Sequence, residues 1–454
     1  MKRPSIKQFF AKKTNDPLHH AFDKKITVHP MAKGSPIPPS ETQALFKGLM
    51  AKKGGYGKRA AYFHIPFCET YCIYCGFYQN AYRPKEASRY INYLIRELEM
   101  VADAPFVKAH PFHAIYLGGG TPTALSASDL LRLLKAIKNT LPLANDCEIT
   151  VEGRIYNFPD EKVFACIDGG VNRISIGVQS FNTFVRRSVG RVEEKEKIIE
   201  RLKFINSLDQ AAIIIDLIYG LPYQTMDIWE DDVRQYIELD LDGVDLYQLN
   251  VYEGGRLERA VKNGKIAKPA DIAMQADMFA KGVEIMKEAG YIRISQSHWA
   301  KTTRERNIYN NLVKTNSVCT PFGSGAGGWL SGYSFYQDNR LSGYYQKIDR
   351  GEKPILMSMK RHPYHGLFKD IEEGFERNAC NLSLLSRRYN LDLRVIFSPL
   401  LRQWEEVGLI KIKDGFCELT LAGEFWYVNL CQLMIDYFEQ NLTRHKLRLV
   451  EIEK

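Results

Sequence analysis

The sequence has no long run of apolar residues. No uninterrupted apolar stretch in its 454 residues approaches the length of about 20 residues that a membrane-spanning helix needs. The first residues, MKRPSIKQFFAKK, carry basic side chains but lack the continuous apolar core of a secretory signal peptide. These absences predict a soluble, cytoplasmic protein without a membrane partner.

The sequence also lacks a large excess of either positive or negative charge. The chain has 62 Lys and Arg residues and 53 Asp and Glu residues, which leaves a formal net charge of +9. The basic residues are spread along the chain, which argues against a nucleic-acid partner, whereas a modest positive charge suits an acidic partner or a ligand with carboxylates. The apolar content of 45% is typical of a globular protein, and the length fits one large domain plus a smaller one.

Cysteine is scarce, and its spacing is not that of a disulfide scaffold. Three of the nine cysteines, Cys68, Cys72 and Cys75, form a C-x3-C-x2-C pattern directly after a short apolar run. Three thiolates on a four-iron cubane leave one iron open to a small molecule. The alternative is a structural zinc site, which usually needs a second C-x2-C half-site that this chain lacks. The spacing therefore predicts an oxygen-sensitive [4Fe–4S] cluster in a reducing compartment.

From residue 58 to about 300, short β-rich runs alternate with helical segments. The segments between the runs carry apolar residues about 3.6 positions apart. This alternation predicts an α/β fold, a partial (β/α)6 TIM-like barrel whose active site lies at the carboxyl ends of the strands. The predicted strands are 61–65, 113–118, 147–151, 172–178, 211–217 and 244–250.

Outside the barrel the pattern changes. Residues 1–57 lack regular periodicity apart from a helix near 40–52, which predicts an N-terminal arm, and residues 58–364 hold the barrel and its extension. Residues 365–454 combine helical runs with a hairpin at Asp414-Gly415, which predicts a C-terminal winged-helix-like cap domain. Because the cap has no strongly basic recognition helix, we interpret it as a lid and not as a DNA-binding domain.

The residues around the cysteine motif, in HIPFCETYCIYC, resemble the radical S-adenosylmethionine (SAM) enzymes. The segment HIPFC is similar to the subgroup that includes oxygen-independent coproporphyrinogen III dehydrogenase, and the likeness extends over about residues 58–440. It implies that SAM binds the open iron and that Tyr74 lies against the adenine. The implied cofactors are a [4Fe–4S] cluster and two SAM molecules.

The resemblance also implies which residues hold the two SAM molecules. Tyr62, Gly119 and Glu152 would hold the first, where a run of three glycines lets the backbone approach a ligand closely. A structural ion pair between Asp216 and Arg191 is the alternative to ligand binding by these two, since a buried acid needs a partner. The second SAM would be held by Gly120, Thr121, Gln179, Arg191, Asp216 and Asn250.

Two departures separate the chain from parts of this subgroup. Coproporphyrinogen dehydrogenases carry a further cysteine where this chain has Phe77. The haem-chaperone relatives carry a His-Asn-x-x-Tyr-Trp stretch whose nearest match, Arg306–Asn311, lacks the His and the Trp. The likeness that remains is to the anaerobic haem-degrading radical SAM methyltransferases.

This likeness implies a haem substrate and a flavodoxin- or flavin-type electron donor. A carbon from the second SAM would be transferred to the porphyrin, and the ring would open to a linear tetrapyrrole with release of iron. A porphyrinogen dehydrogenase and a non-enzymatic haem chaperone stay open as alternatives.

Further residues are candidates for contact with haem. The adjacent His19 and His20 can ligate iron or lie on the surface, and His298 can have a direct role or be a core histidine. Arg304 and Arg306 can pair with propionates or be ordinary surface charges.

Overall fold

The computed structural model describes residues 6–55 and 57–445. Among these residues the strands, numbered β1 to β18 in chain order, are Ser35–Pro36, Arg59–Ile65, Phe67–Cys68, Asn80–Ala81, Phe112–Gly119, Leu143–Gly153, Arg173–Gln179, Ala212–Tyr219, Gly243–Gln248, Ile292–Arg293, His298–Ala300, Val318–Phe322, Gly327–Leu330, Tyr333–Gln337, Ile355–Lys360, Ala379–Asn381, Ile410–Lys413 and Phe416–Leu419.

The α-helices of the same residues are numbered α1 to α18. They are Pro17–His20, Pro39–Met50, Pro84–Ala102, Pro105–Lys108, Ala127–Thr140, Asp160–Asp168, Thr183–Ser188, Lys195–Ser207, Met226–Leu239, Arg256–Lys262, Ile272–Glu288, Ile308–Val313, Leu341–Asp349, His365–Glu376, Leu382–Tyr389, Leu393–Val407, Leu421–Phe425 and Tyr427–His445. Short 3-10 helices lie at Ile6–Phe9 and Pro122–Ala124. Among the described helices, none combines the length and the apolar character that crossing a bilayer requires.

The six strands predicted for the barrel are all present. They correspond to β2, β5, β6, β7, β8 and β9, which pair in this order and in parallel. A seventh parallel strand, β12, pairs with the free side of β2, and antiparallel strands continue the sheet at both edges. The sequence does not predict β12, because Pro321 lies inside it and argues against a central strand. The predicted partial α/β barrel is confirmed.

The strand registers gather polar residues on one face of the sheet. Tyr62 in β2 pairs with Tyr116 in β5, and Asp216 in β8 pairs with Asp245 in β9. Because side chains alternate along a strand, these positions share a face, while the residues between them are mostly buried and apolar. The polar side chains therefore converge on the inner face of the barrel.

The chain divides into two compact units. One contains the chain up to Lys33, Asp271–Ala280 and the chain from His362 on, and the other contains Gly34–Ala270 and Lys281–Arg361. The division predicted from the sequence, into 1–57, 58–364 and 365–454, stays a prediction. Residues 1–5, 56 and 446–454 of the predicted arm and cap lie outside the described residues.

The unit that contains the C-terminal residues has a winged-helix-like arrangement. Strands β16, β18 and β17 form a small antiparallel sheet in that order beside helices α14, α15 and α16. The hairpin between β17 and β18 turns at Asp414 and Gly415, which both have positive φ angles of 49° and 83°. Two successive positive φ angles favour a two-residue hairpin turn, as the sequence predicts.

In this unit, amide side chains of the later helices bind the early part of the chain. Gln403 receives the Ala11 N–H at 2.9 Å and donates to the Ala11 carbonyl at 2.8 Å. Gln432 does the same with Met31, at 2.8 and 3.1 Å. Each amide satisfies a backbone donor and a backbone acceptor at once, so these residues form part of a folded unit and not a plain linker.

In the barrel unit, one carboxylate joins several elements. Glu97 in α3 is fully buried and accepts four hydrogen bonds. Because each carboxylate oxygen receives two donors, the charge is fully compensated and ties α3 to β12, β14 and α13. The donors are Lys353 Nζ at 2.5 Å, Gln337 Nε2 at 2.8 Å, the Gly323 N–H at 2.8 Å and the Tyr344 hydroxyl at 2.6 Å.

We expect Glu97→Ala to lower the free energy of unfolding by about 3–5 kcal/mol, because it leaves the Lys353 ammonium buried without its partner. Urea unfolding followed by circular dichroism measures the effect. Glu86→Ala in the same helix, which removes a single hydrogen bond from the Tyr345 hydroxyl, serves as the control and should cost less. Equal losses in the two variants would contradict the assigned role of Glu97.

Candidate functional site

The loop with the three predicted cluster ligands follows β2. Cys68 lies in β3 and Cys72 in the loop after it, and both are buried, whereas Cys75 is half-buried. The Cys75 N–H donates to the Cys72 carbonyl at 3.0 Å, and the Phe77 N–H donates to Cys75 Sγ at 3.3 Å. Among residues 6–55 and 57–445, no group of three or more His, Cys, Asp or Glu side chains converges on one metal ion. A cubane does not require this, since its three cysteines bind three different irons.

Two side chains donate to the sulfur of Cys68. The Thr121 hydroxyl lies 3.3 Å from Cys68 Sγ, and Arg154 Nη2 lies 3.9 Å from it. Arg154 is held in place because its Nη1 donates to the Thr70 carbonyl and hydroxyl at 3.1 and 2.8 Å. Arg154 is not among the residues predicted from the sequence, although it lies two positions after Glu152, at the end of a predicted strand.

A second arginine lies beside Cys72. Arg191 donates to the Tyr74 hydroxyl at 3.2 Å and to the Gly177 carbonyl at 2.7 Å. Burial opposes ionisation of Cys72, but the positive charges of Arg191 and Arg154 outweigh it and lower the pKa of that thiol. Thiolates with cationic donors beside them suit an iron–sulfur cluster, so this donor set fits the predicted group.

The glycine-rich segment at the end of β5 packs directly against this loop. A Cβ atom on Gly119 would lie 2.4 Å from the His64 ring, and Gly119 has a φ of +107°. A Cβ atom on Gly120 would lie 2.5 Å from the Phe67 carbonyl oxygen. Both positions therefore require glycine for the packing of the protein itself.

The backbone N–H groups of this segment are engaged inside the protein. The N–H groups of Gly119, Gly120 and Thr121 all have acceptors within the protein, so these three donors are already used. These acceptors are Glu152 Oε2 at 3.2 Å, the Ile65 carbonyl at 2.8 Å and the Phe67 carbonyl at 2.8 Å, respectively.

At the inner face, Glu152 lies in a hydrogen-bonded group with aromatic residues. The Tyr116 hydroxyl donates to Glu152 Oε1 at 2.6 Å, and the Tyr62 hydroxyl lies 3.0 Å from His64 Nδ1. Burial raises the pKa of Glu152 and lowers that of His64 to about 4, so His64 is neutral at pH 7. His64 Nε2 is buried without a partner, which leaves one ring nitrogen for a ligand.

Gln179 and Arg191 are brought together at the end of β7. The register between β7 and β8 shifts between Gly177 and Gln179, and Gln179 has a φ of +74°. Such bulges redirect side chains, and strained backbone is found at ligand sites. Gln179 Oε1 and Arg191 Nε are both buried without a hydrogen-bond partner. Buried polar atoms of this kind are expected where a ligand binds.

Asp216 lies beside this pair, since it is the register partner of Gly177. Burial, with the nearby charges of Asp245 and Glu152, raises the pKa of Asp216 to about 7. Arg191 uses Nη1 and Nη2 for other acceptors and forms no ion pair with Asp216. The structural Asp–Arg pair considered as an alternative is therefore absent. Asn250 follows β9 by two residues and donates to the Gln248 carbonyl at 3.2 Å.

A buried ionic network that the sequence does not reveal crosses the inner face. Arg173 Nε lies 3.1 Å from both carboxylate oxygens of Glu305. His298 joins two acids, with Nδ1 2.9 Å from Asp245 Oδ2 and Nε2 3.1 Å from Glu305 Oε1. Because both ring nitrogens of His298 are engaged, it is a core histidine in this structure and not an iron ligand.

Arg304 and Arg306, the candidate partners of haem propionates, lie away from the cysteine loop. Arg304 pairs with Asp209, and Arg306 lies 3.8 Å from Asp146. These acids lie before or at the start of β8 and β6, at the amino ends of the parallel strands and away from the cysteine loop. The surface-charge interpretation of the two arginines therefore fits better than propionate binding.

The histidine pair lies in the unit that contains the C-terminal residues. His19 Nδ1 lies 2.8 Å from Asp16 Oδ2, and its Nε2 lies 2.8 Å from Asp277 Oδ1. Both ring nitrogens of His19 are therefore engaged, whereas His20 is exposed.

Comparisons with known proteins give consistent results. Residues 62–236 match the Radical SAM superfamily. The chain is 38% identical to anaerobilin synthase from Escherichia coli O157:H7, over 92% of this chain and 93% of that protein. It is 33% identical to the heme chaperone HemW from Lactococcus lactis, over 65% of this chain and 76% of that protein.

The fold is also similar to a solved structure. It superposes on coproporphyrinogen III oxidase (HemN) from Escherichia coli with a TM-score of 0.76 at 22% identity, over 89% of this chain and 97% of that one. At this identity the likeness concerns the fold alone.

The His298 network makes stability depend on pH. The charges of Asp245 and Glu305 outweigh burial and raise the pKa of His298 to about 9, above its ordinary value of 6.5. The stabilisation is therefore fully present below about pH 6.5 and is lost as the pH rises through 9. We expect His298→Gln to cost about 3–5 kcal/mol at pH 6.5 and clearly less at pH 9.5, by urea unfolding.

The exposed His20→Gln variant is the matched control and should show no such pH-dependent loss. A cost for His298→Gln that is constant from pH 6.5 to 9.5 would contradict the assignment of a charged His298.

Proposed function

The chain belongs to the radical SAM superfamily, within the subgroup of coproporphyrinogen III dehydrogenases and their haem-related relatives, and we propose that it degrades haem anaerobically. Enzymes of this superfamily use a [4Fe–4S] cluster and SAM. The proposed reaction transfers a carbon from SAM to the porphyrin, opens the ring to a linear tetrapyrrole and releases iron. The identity with anaerobilin synthase, which extends over nearly the full length of both chains, supports this choice.

Cys68, Cys72 and Cys75 would hold the cluster, with Arg154 and Arg191 stabilising the thiolates. Together the reduced cluster and the bound SAM supply a radical for hydrogen abstraction and a methyl group for carbon–carbon bond formation. The first SAM would be held by Tyr62, Tyr74, Gly119 and Glu152, and the second by Gly120, Thr121, Gln179, Arg191, Asp216 and Asn250.

The observation that carries the proposal is the cluster of buried polar side chains beside the cysteine loop, which keeps atoms without hydrogen-bond partners. Among the described residues, Gln179 Oε1 and Arg191 Nε are buried without hydrogen-bond partners, and Asp216 lies beside them, where burial raises its pKa to about 7. These atoms fit a polar, charged ligand in addition to the one bound at the cluster, as a methyl donor requires. A pKa of about 7 lets Asp216 change protonation state when such a ligand arrives.

Aromatic residues supply the other chemistry that a haem substrate needs. The rings of Tyr116 and Tyr309 stack with centroids 4.2 Å apart, and the Tyr62 ring lies 6.1 Å from that of Tyr309. These rings pack on one another and against the core, so they would form an apolar boundary of the site for a flat ligand and not a free stacking surface. An electron donor of the flavodoxin or flavin type completes the proposed system.

Anaerobic incubation of the reconstituted protein with haem, SAM and a reductant tests the function. We expect the Soret band to disappear only when SAM and reductant are both present, with label from the SAM methyl group in the tetrapyrrole product by mass spectrometry. Cys72→Ala is the inactive control and should also contain less iron and sulfide. Bound haem with a persistent Soret band would favour a chaperone, and carbon dioxide release from a porphyrinogen without label would favour a dehydrogenase.

The two SAM sites can be separated by mutation. We expect Asp216→Ala to reduce label transfer to the tetrapyrrole by about 100-fold or more while 5′-deoxyadenosine formation falls less than about fivefold, since Asp216 would act on the second SAM alone. The control is Asp231→Ala, at an exposed residue that has no proposed role, and it should change neither product. Equal loss of both products would assign Asp216 a purely structural role.

A further inference from the structure

Helix α10 presents a basic face next to the cysteine loop. Its buried residue Leu257 belongs to an apolar cluster against which Ile73 and Tyr74, the residues between Cys72 and Cys75, are packed. At about 100° per residue, Arg259 points opposite to the inward side of the helix, with Arg256 and Lys262 flanking it. All three of these basic residues are exposed. The helix therefore places its charges on the solvent side of the cysteine loop.

A direct contact fixes this helix on the loop. The guanidinium carbon of Arg256 lies 3.8 Å from the centroid of the Tyr71 ring and 6.0 Å from that of Tyr78. Cation–π contacts of this geometry hold both partners in position. The basic face is therefore held close to Cys72.

The charge of this surface is not neutralised by nearby acids. Residues 251–270 contain five basic and two acidic side chains. Lys262 pairs with Glu258 at 2.7 Å, but Arg259, Lys265 and Lys268 are exposed and form no ion pair among the described residues. These three charges are available to an acidic surface.

Aromatic residues form the part of this surface nearest to the cluster ligands. Cys75 is the least buried of the three cysteines, and the exposed Phe77, at 65%, donates its N–H to the Cys75 sulfur. Tyr252 is 42% exposed and covers Gly76, where a Cβ atom would lie 3.2 Å from the Tyr252 ring. Exposed aromatic side chains within a charged rim are the usual composition of a protein–protein contact site.

We propose that Phe77, Tyr252 and the basic residues Arg259, Lys265 and Lys268 form the docking surface for an acidic one-electron carrier protein. The carrier loses one electron and the cluster iron gains it, and no bond is formed or broken. Cys75 is the point on the cysteine loop nearest to this surface, because it is half-buried whereas Cys68 and Cys72 are buried. Opposite charges raise the association rate, and the aromatic residues supply the contact energy. The inference rests on the proposed function only in its need for a reduced cluster.

The reduction rate of the reconstituted full-length protein tests this surface. Anaerobic stopped-flow absorbance follows cluster reduction by two donors, a photoreduced flavodoxin as the acidic carrier and photoreduced deazaflavin as a small uncharged one. We expect Arg259→Glu/Lys265→Glu to slow reduction by flavodoxin about tenfold or more at low salt and to abolish most of its salt dependence. Reduction by deazaflavin should change less than about twofold.

A control with the same charge change is Lys135→Glu/Lys203→Glu, on the exposed faces of α5 and α8. It should leave both rates unchanged, and Phe77→Ser should weaken flavodoxin binding in a direct titration. Unchanged flavodoxin rates in the α10 variant, or equal slowing in the control, would overturn the proposal.

Haem binding separates this inference from the proposed function. If Arg259→Glu/Lys265→Glu binds haem more weakly but is reduced by flavodoxin at the normal rate, the docking proposal is overturned. The basic residues would then bind the haem propionates. A protein that consumes no haem but still shows the charge-dependent reduction would refute haem degradation alone.

Discussion

The need to compensate buried charge organises the interior of this barrel. Arg173, Glu305, His298 and Asp245 bind one another on the inner face, and each of these contacts is within 3.1 Å. A buried charge without a partner costs several kcal/mol, so the network fills part of the inner face with paired groups. Gln179, Arg191 and Asp216 are different, because they keep unsatisfied atoms or an unpaired charge beside the cysteine loop. The contrast distinguishes structural polar groups from those available to a ligand.

The cysteine loop depends on close packing as well as on charge. Gly119 and Gly120 have no room for a Cβ atom against His64 and Phe67, and their N–H groups are used inside the protein. The glycine run therefore shapes the ligand site by fixing the loop, which is a different role from lending amides to a ligand. Arg154 and Arg191 then supply positive charge to the thiols that this packing has positioned.

Several parts of the fold and of the candidate site could be predicted from the sequence, because their signals are local. The strand ends at Glu152 and Gln179, the cysteine spacing and the turn at Asp414-Gly415 are all short-range patterns. For Arg304, Arg306 and His298 the sequence leaves two interpretations open, because residue type alone does not show which partners surround a side chain in the fold. Arg304 pairs with Asp209 at the amino ends of the strands, and His298 is enclosed by two acids.

The sequence by itself determined the parallel strands and the three closely spaced cysteines, since β-rich runs, helical periodicity and motif spacing are properties of residues that are near one another in the chain. Only the tertiary structure decided which polar residues are paired. Asp245 and Glu305 are 60 positions apart and meet through His298, while Asp216, the register neighbour of Asp245, stays unpaired. The register between strands and the path of the chain between them determine which of these residues meet. Contacts between residues that are far apart in the chain leave no pattern in a single sequence.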